Sequence, residues 1–146
     1  MIKVEDMMTR SPHTLLRSHN LADAKSMMEA LDIRHVPIID ADKKLLGVVS
    51  QRDVLAAQES SLQKLPESES YTLNTPLYEV MKTSIMSVSP QAGLKESAMY
   101  MQKHKVGCLP VVAKGELVGI ITDSDFVSIA ITLLELQEEA EPEEMD

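Results

Sequence analysis

Two short segments place a hydroxyl and a carboxylate where they can do chemistry. Ser50-Gln51-Arg52-Asp53 follows the apolar run Gly47-Val48-Val49, and Thr122-Asp123-Ser124-Asp125 follows Gly119-Ile120-Ile121. In each, a strand ends on a hydroxyl, and an acid stands three residues on in the first turn of a helix. One chemistry for that spacing is structural. The hydroxyl caps the helix while the acid reaches back to the cap's own N–H, as in a capping box. The other is ligand binding. A helix N-terminus offers unpaired N–H groups and partial positive charge, worth about 0.3–1 kcal/mol to an exposed anion and up to about 2 kcal/mol to a partly buried one. The hydroxyl can join in holding a phosphate, and the carboxylate can accept both hydrogens of a ribose diol, as acidic residues do in dinucleotide folds. The spacing alone fits both.

Other reactive residue types form no constellation. His13, His19, His35 and His104 are scattered, with no paired metal-ligand spacing and no cysteine partner. Cys108, the single cysteine, reads as a small buried apolar residue and excludes an internal disulfide. No P-loop, Gly-x-Ser-x-Gly or His-Glu-x-x-His occurs. Neither catalysis nor a metal site is expected.

The elements that must position these groups come as a duplication. Pro37-Ile38-Ile39 and Pro110-Val111-Val112 stand 73 residues apart, Gly47 and Gly119 stand 72 apart, and one residue is lost from the turn between. Met8, Ser11, Leu21 and Met28 match Met81, Ser84, Leu94 and Met101 at the offset of 73. Each copy reads as strand, helix, strand, strand, helix. In the first, Thr14–Leu16 is extended, Asn20 caps a helix with Leu21, Ala24, Met27, Met28 and Leu31 on one face, Val36–Ile39 and Leu45–Val49 form a hairpin, and a helix runs from Ser50 to about Gln63. The second places Met86–Val88, Leu94–His104, Leu109–Val112, Leu117–Ile121 and a long helix from Asp123 past Leu136 in the same roles. The fold class expected is α+β: two β-α-β-β-α repeats at 1–63 and 77–139, packed as a pseudo-twofold pair, with a linker at 64–76 and an acidic tail at 140–146. Such a pair leaves a cleft between its halves, where small ligands bind. Gly47 and Gly119 allow a neighbour to approach closely, and the Met residues read as core or interface filler.

The net charge of −9 is concentrated. Seven acidic residues and no basic one fall between Glu135 and Asp146, so the remainder carries only −2. That acidic end reads as a solvated tail, with recruitment of a basic partner as the less favoured reading. No basic stripe points to nucleic acid. No run of about 18 apolar residues or secretory leader is present, so a membrane is not expected and a cytoplasmic location is.

The doubled combination of Val36-Pro37-Ile38-Ile39-Asp40, Gly47-Val48-Val49-Ser50-x-x-Asp53 and Met7-Met8-Thr9-Arg10-Ser11-Pro12 resembles the CBS domain family, whose members pair in tandem as a Bateman module. The resemblance covers roughly Val4–Gln63 and Leu77–Glu139. It implies two clefts that bind adenosine-containing ligands such as AMP, ADP, ATP or S-adenosylmethionine, and frequent association of modules into a homodimer. Carried over by position, it makes Asp53 and Asp125 the ribose acceptors and Ser50 and Thr122 the phosphate-side hydroxyls. His35, Val36 and Pro37, with Leu109 and Pro110 of the other copy, lie beside the base, and Thr14 and Ser87 sit where the first strand meets the site. Arg52 adds a cation to the first site, whereas Asp123 and Ser124 leave the second more negative. Like charges about 4 Å apart repel by on the order of 1–4 kcal/mol. One dominant site around Ser50, Arg52 and Asp53 is expected, with a second that is weaker, takes a less charged ligand, or takes one with Mg²⁺. The expected function is a non-catalytic sensor of cellular energy state that signals to a separate effector. The alternative is a ligand-free scaffold for dimerisation or docking.

Overall fold

The computed structural model describes residues 1–62 and 73–141; most of the expected linker and the tail beyond 141 lie outside them. Its elements are α1 (Val4–Met7), β1 (Thr9–Arg10), β2 (Leu15–Leu16), α2 (Leu21–Leu31), β3 (His35–Ile39), β4 (Leu45–Ser50), α3 (Gln51–Leu62), a 3₁₀ turn (Leu77–Glu79), α4 (Leu94–His104), β5 (Cys108–Ala113), β6 (Glu116–Thr122) and α5 (Asp123–Ala140). They form two three-stranded sheets, ordered β2-β3-β4 and β1-β6-β5. The architecture is mixed α+β with a repeated unit, as the duplication implies.

Local chemistry sets the boundaries. Asn20 caps α2 by accepting the Asp23 N–H, and Asp23 returns a bond to the Asn20 N–H. α2 and α4 end on counterpart residues in the left-handed region, Asp32 (φ 52°) and Lys105 (φ 53°). The turn between β3 and β4 is held by Asp40, whose Oδ1 accepts the N–H groups of Asp42 and Lys44. Its counterpart between β5 and β6 is a two-residue turn with Lys114 at φ 52° and Gly115 at φ 79°, the geometry of a type I′ hairpin. That tighter turn accounts for the missing residue. In the second half, Val88 donates to the Pro110 carbonyl and accepts from Val112. The pairing therefore starts beyond the proline nitrogen, which has no N–H to offer.

The two halves exchange their first segments. β1 belongs to the first half by sequence but pairs with β6, Thr9 opposite Ile120 and Arg10 opposite Gly119. Lys82 does the reverse, exchanging both backbone hydrogen bonds with Val48 of β4 at 2.9 and 3.0 Å. Val4 is fully buried among Leu94, Met101, Leu109, Val111 and Ile121, while Leu77 is fully buried among Leu15, Leu21, Met28, Val36, Ile38 and Val49. Each side chain gains about 1.5–3 kcal/mol from burial, and gains it in the other half's core. The glycines permit the crossing. A Cβ on Gly47 would stand 2.8 Å from the Lys82 carbonyl oxygen, and one on Gly119 3.0 Å from that of Thr9.

Met28 and Met101 are core residues, Met27 is half-buried, and Met99 is exposed. Helix α5 buries none of its 18 residues. Among the described residues, no helix is long and apolar enough to cross a membrane.

Because the exchange makes each core depend on the other half, Leu77→Ala is expected to cost about 2–5 kcal/mol and Gly47→Ala about 1–3 kcal/mol. Urea unfolding should show one transition shifted as a whole. Two separable transitions, with only one displaced, would show that the exchange does not couple the halves.

Candidate functional site

A cavity of about 550 Å³ opens between the halves, within the range of about 300–1,000 Å³ typical of small-molecule sites. The first half contributes Arg34 and His35 at the start of β3, Val48 and Ser50 of β4, and Gln51, Arg52 and Asp53 of α3. The second contributes the crossing segment Lys82, Ser84, Ile85 and Met86, then Lys105 to Pro110, and Asp123 at the head of α5.

The cap and the cavity share the same acid. Asp53 Oδ2 accepts the Ser50 N–H at 2.8 Å, and Ser50 Oγ accepts the Asp53 N–H at 3.1 Å. That is a capping box, so the structural chemistry expected for this spacing is present. It leaves Asp53 Oδ1 over, 3.5 Å from the Lys82 ammonium, with the Asp53 side chain 14 % exposed. A carboxylate can thus hold the helix end with one oxygen and face the cavity with the other.

The counterpart box is more self-contained. Asp125 Oδ2 accepts the Thr122 N–H at 2.8 Å and the Thr122 hydroxyl at 3.1 Å, and Thr122 Oγ1 accepts the Asp125 N–H at 3.2 Å. Asp125 Oδ1 stands 3.5 Å from the Thr9 hydroxyl, the neutral counterpart of Lys82. The hydroxyl proton that Ser50 keeps is already spent on the acid at Thr122.

Six of the residues expected at a site line this cavity: His35, Ser50, Arg52, Asp53, Leu109 and Pro110. Thr14, Val36, Pro37, Thr122 and Asp125 do not. Val36 and Pro37 are fully buried in the first core, facing Val49 and Val48 of β4, and Ser87 lines a smaller hollow with Lys44, Leu46 and Val112. Asp123, read from sequence as part of the second site, lines the first cavity. Its N–H donates to the Gly107 carbonyl, which draws the head of α5 to the cavity wall. Lys82, Ser84, Lys105 and Gly107 were not anticipated. Only Ser84 carried a sequence signal, its match to Ser11.

Burial governs the two titratable groups on the dividing line between the halves. It pulls the His35 pKa below its ordinary 6.5, outweighing Asp123, which pulls the other way. Burial and then Asp123 push the Cys108 thiol up to about 12, so it stays protonated and is no nucleophile. Gly107 makes room for the imidazole, since a Cβ there would lie 2.7 Å from His35 Nε2. No group of three or more His, Cys, Asp or Glu residues among those described could hold a metal ion.

A histidine with a lowered folded-state pKa stays neutral while the unfolded chain takes up a proton. Its effect on stability is therefore absent above about pH 6.5 and grows unfavourable as pH falls below that value. Between about pH 7.5 and about pH 5.5 the wild type should lose more stability than His35→Gln. Urea midpoints at both pH values check this, and equal losses would count against it.

Comparison with known proteins bears on the whole chain. The model of the CBS domain matches residues 4–60 and 77–131. The crystal structure of a Vibrio cholerae protein provisionally assigned to acetoin utilization (AcuB) is 75% identical, with a TM-score of 0.83 over 97% of this chain and 99% of that one. CBSX2, solved in complex with AMP, is 30% identical with a TM-score of 0.76 over 91% of this chain and 98% of that one. A CBS domain-containing protein of Dictyostelium discoideum is 30% identical over 139 residues, 92% of this chain and 94% of its own length. Two copies of the domain in tandem, joined by exchanged first segments, place the chain in the CBS domain family.

Proposed function

We propose that the chain is a regulatory module that binds an adenosine nucleotide in the cavity between its halves and passes its occupancy to a separate effector. The observation that carries this is Asp53 Oδ1, which the capping box leaves over and which the exposed Lys82 ammonium contacts at 3.5 Å. Asp53 lines a cavity to which the other half contributes Leu109 and Pro110. In this reading Asp53 Oδ1 takes the ribose diol, Ser50 and Arg52 take phosphate, and the apolar groups of Ile85, Met86, Leu109 and Pro110 hold the base beside His35. The AMP held by CBSX2, 30% identical, supports the ligand class. Thr14, Thr122 and Asp125 would serve a second, weaker position, for a less charged ligand or one carried with Mg²⁺, whereas Val36 and Pro37 are sealed in the first core and Ser87 faces a separate hollow. At 75% identity to the AcuB protein, acetoin utilization is the setting proposed for the effector. The reading includes a reducing, cytoplasmic location, sensing of energy state and no catalysis of its own.

Titration calorimetry with AMP, ADP, ATP and S-adenosylmethionine tests this. Micromolar binding, about −8 kcal/mol, is expected for a nucleotide. It should be lost at least tenfold in Asp53→Ala and in Asp53→Asn, which keeps an acceptor for the Ser50 N–H, and retained in Asp125→Ala. Absence of binding to any of the four would leave the scaffold reading, with Ser50 and Asp53 serving only as a cap.

Association into a homodimer is supported by α5. Val127, Ile131 and Leu134, spaced along one face, are 60%, 51% and 59% exposed, and Leu55, the α3 counterpart of Val127, is 54% exposed. Ile131→Asp should convert a dimer to a monomer in light scattering, and a wild type already monomeric at tens of micromolar would refute the assignment.

A further inference from the structure

The duplication supplies an internal control for the cavity's charge. Four cations line it, Arg34, Arg52, Lys82 and Lys105, against two carboxylates, Asp53 and Asp123. The counterparts of the cations at offsets of 73, 72, 73 and 73 residues are Gly107, Ser124, Thr9 and Asp32, none of them cationic. A backbone that repeats itself makes the same demands at both members of each pair. Asp32 and Lys105 even share the same left-handed helix-ending geometry, φ 52° and 53°, yet carry opposite charges. Fold therefore accounts for none of the four. Only Lys82 forms an ion pair among the described residues, with Asp53.

The cations also stand on opposite walls. Arg34 and Arg52 come from the first half, where the Gln51 N–H donates to the Arg34 carbonyl and ties the two segments together. Lys82, of the second half by sequence, is carried across to that same wall by its bonds to Val48 and Asp53, so Lys105 stands opposite the other three. A single phosphate beside Ser50 satisfies one wall, whereas a chain of phosphates reaches both. Resting on the nucleotide reading above, we infer that the cavity is built for a nucleoside polyphosphate, of ADP or ATP class, in preference to a monophosphate or to the cationic sulfonium of S-adenosylmethionine. Lys105, on the wall a single phosphate does not reach, sets that preference.

The test is calorimetric titration of the whole chain with ATP, ADP and AMP at constant ionic strength with a chelator present, for wild type, Lys105→Ala and Arg52→Ser. Both positions are exposed, where substitutions leave folding nearly unchanged, and unaltered circular dichroism confirms it. The expected result is ATP at least about tenfold tighter than AMP, with ADP between, a ratio reduced to about threefold or less in Lys105→Ala, and all three nucleotides weakened alike in Arg52→Ser. AMP binding as tightly as ATP, or a ratio unmoved by Lys105→Ala, would overturn the polyphosphate inference while leaving the nucleotide site standing. Failure of every nucleotide to bind would overturn the site itself and the inference with it.

Discussion

Neither half of the chain closes its own core. Val4 and Leu77 are each carried across the dividing line, pinned by paired backbone bonds: Val4 to Ala92 and Leu94 to Ile2 on one side, Leu77 to His19 and Leu21 to Thr75 on the other. Buried backbone groups must find partners, and these find them only in the opposite half. The consequence reaches the site. The segment that leaves Leu77 runs on through Met81 and Lys82, locked to Val48 over Gly47, and then becomes the cavity wall at Ser84, Ile85 and Met86. The cavity exists because of the crossing, and its shape is tied to the packing that holds the two halves together.

The same economy operates within the Ser50–Asp53 turn. A carboxylate has two oxygens and about four acceptor positions, and the capping box commits only Oδ2. Capping a helix and contacting a ligand are thus compatible uses of one residue. The capping bond fixes the rotamer of Asp53, so little freedom remains to be lost when a second partner arrives. At Thr122 the hydroxyl also donates to its acid, and the crossing neighbour is Thr9 where the first half meets Lys82. Two copies of one motif have diverged through the residues around them.

Elements with enough length to show a period were readable in the chain. Leu21, Ala24 and Met28 mark α2, Asn20 its cap, and α4 falls where its apolar spacing places it. The hairpins followed from apolar runs flanking polar turns. What local pattern cannot show is a partner a hundred residues away. α1 has four residues and β1 two, too short for any period, and both are docked on the opposite half. For the same reason the sequence pointed to Ser50, Arg52 and Asp53 but not to Lys82 or Lys105, which reach the cavity from the other half of the chain. Asp123 shows the limit most clearly. Its neighbours in sequence assign it to the second motif, while its N–H bond to Gly107 brings it to the first cavity.

A ligand in such a cavity acts through what it touches on both sides. Occupancy at a hundred times the dissociation constant contributes about 2.7 kcal/mol to the state that binds, and a conformational equilibrium moves only by the difference in affinity between its two states. Contacts confined to one half create no such difference in how the halves meet. In the proposed reading, contacts to Asp53, Arg52 and Lys82 on one wall and Lys105 on the other would, with the distance between those walls as the variable. On that reading α5 would give the variable an outlet. Its first residue, Asp123, lines the cavity, and at 1.5 Å per residue the exposed Ile131, Leu134 and Leu136 lie about 12–20 Å along it. A helix with one end at the cavity and exposed apolar residues further along would carry a small change at the cleft to that distant face.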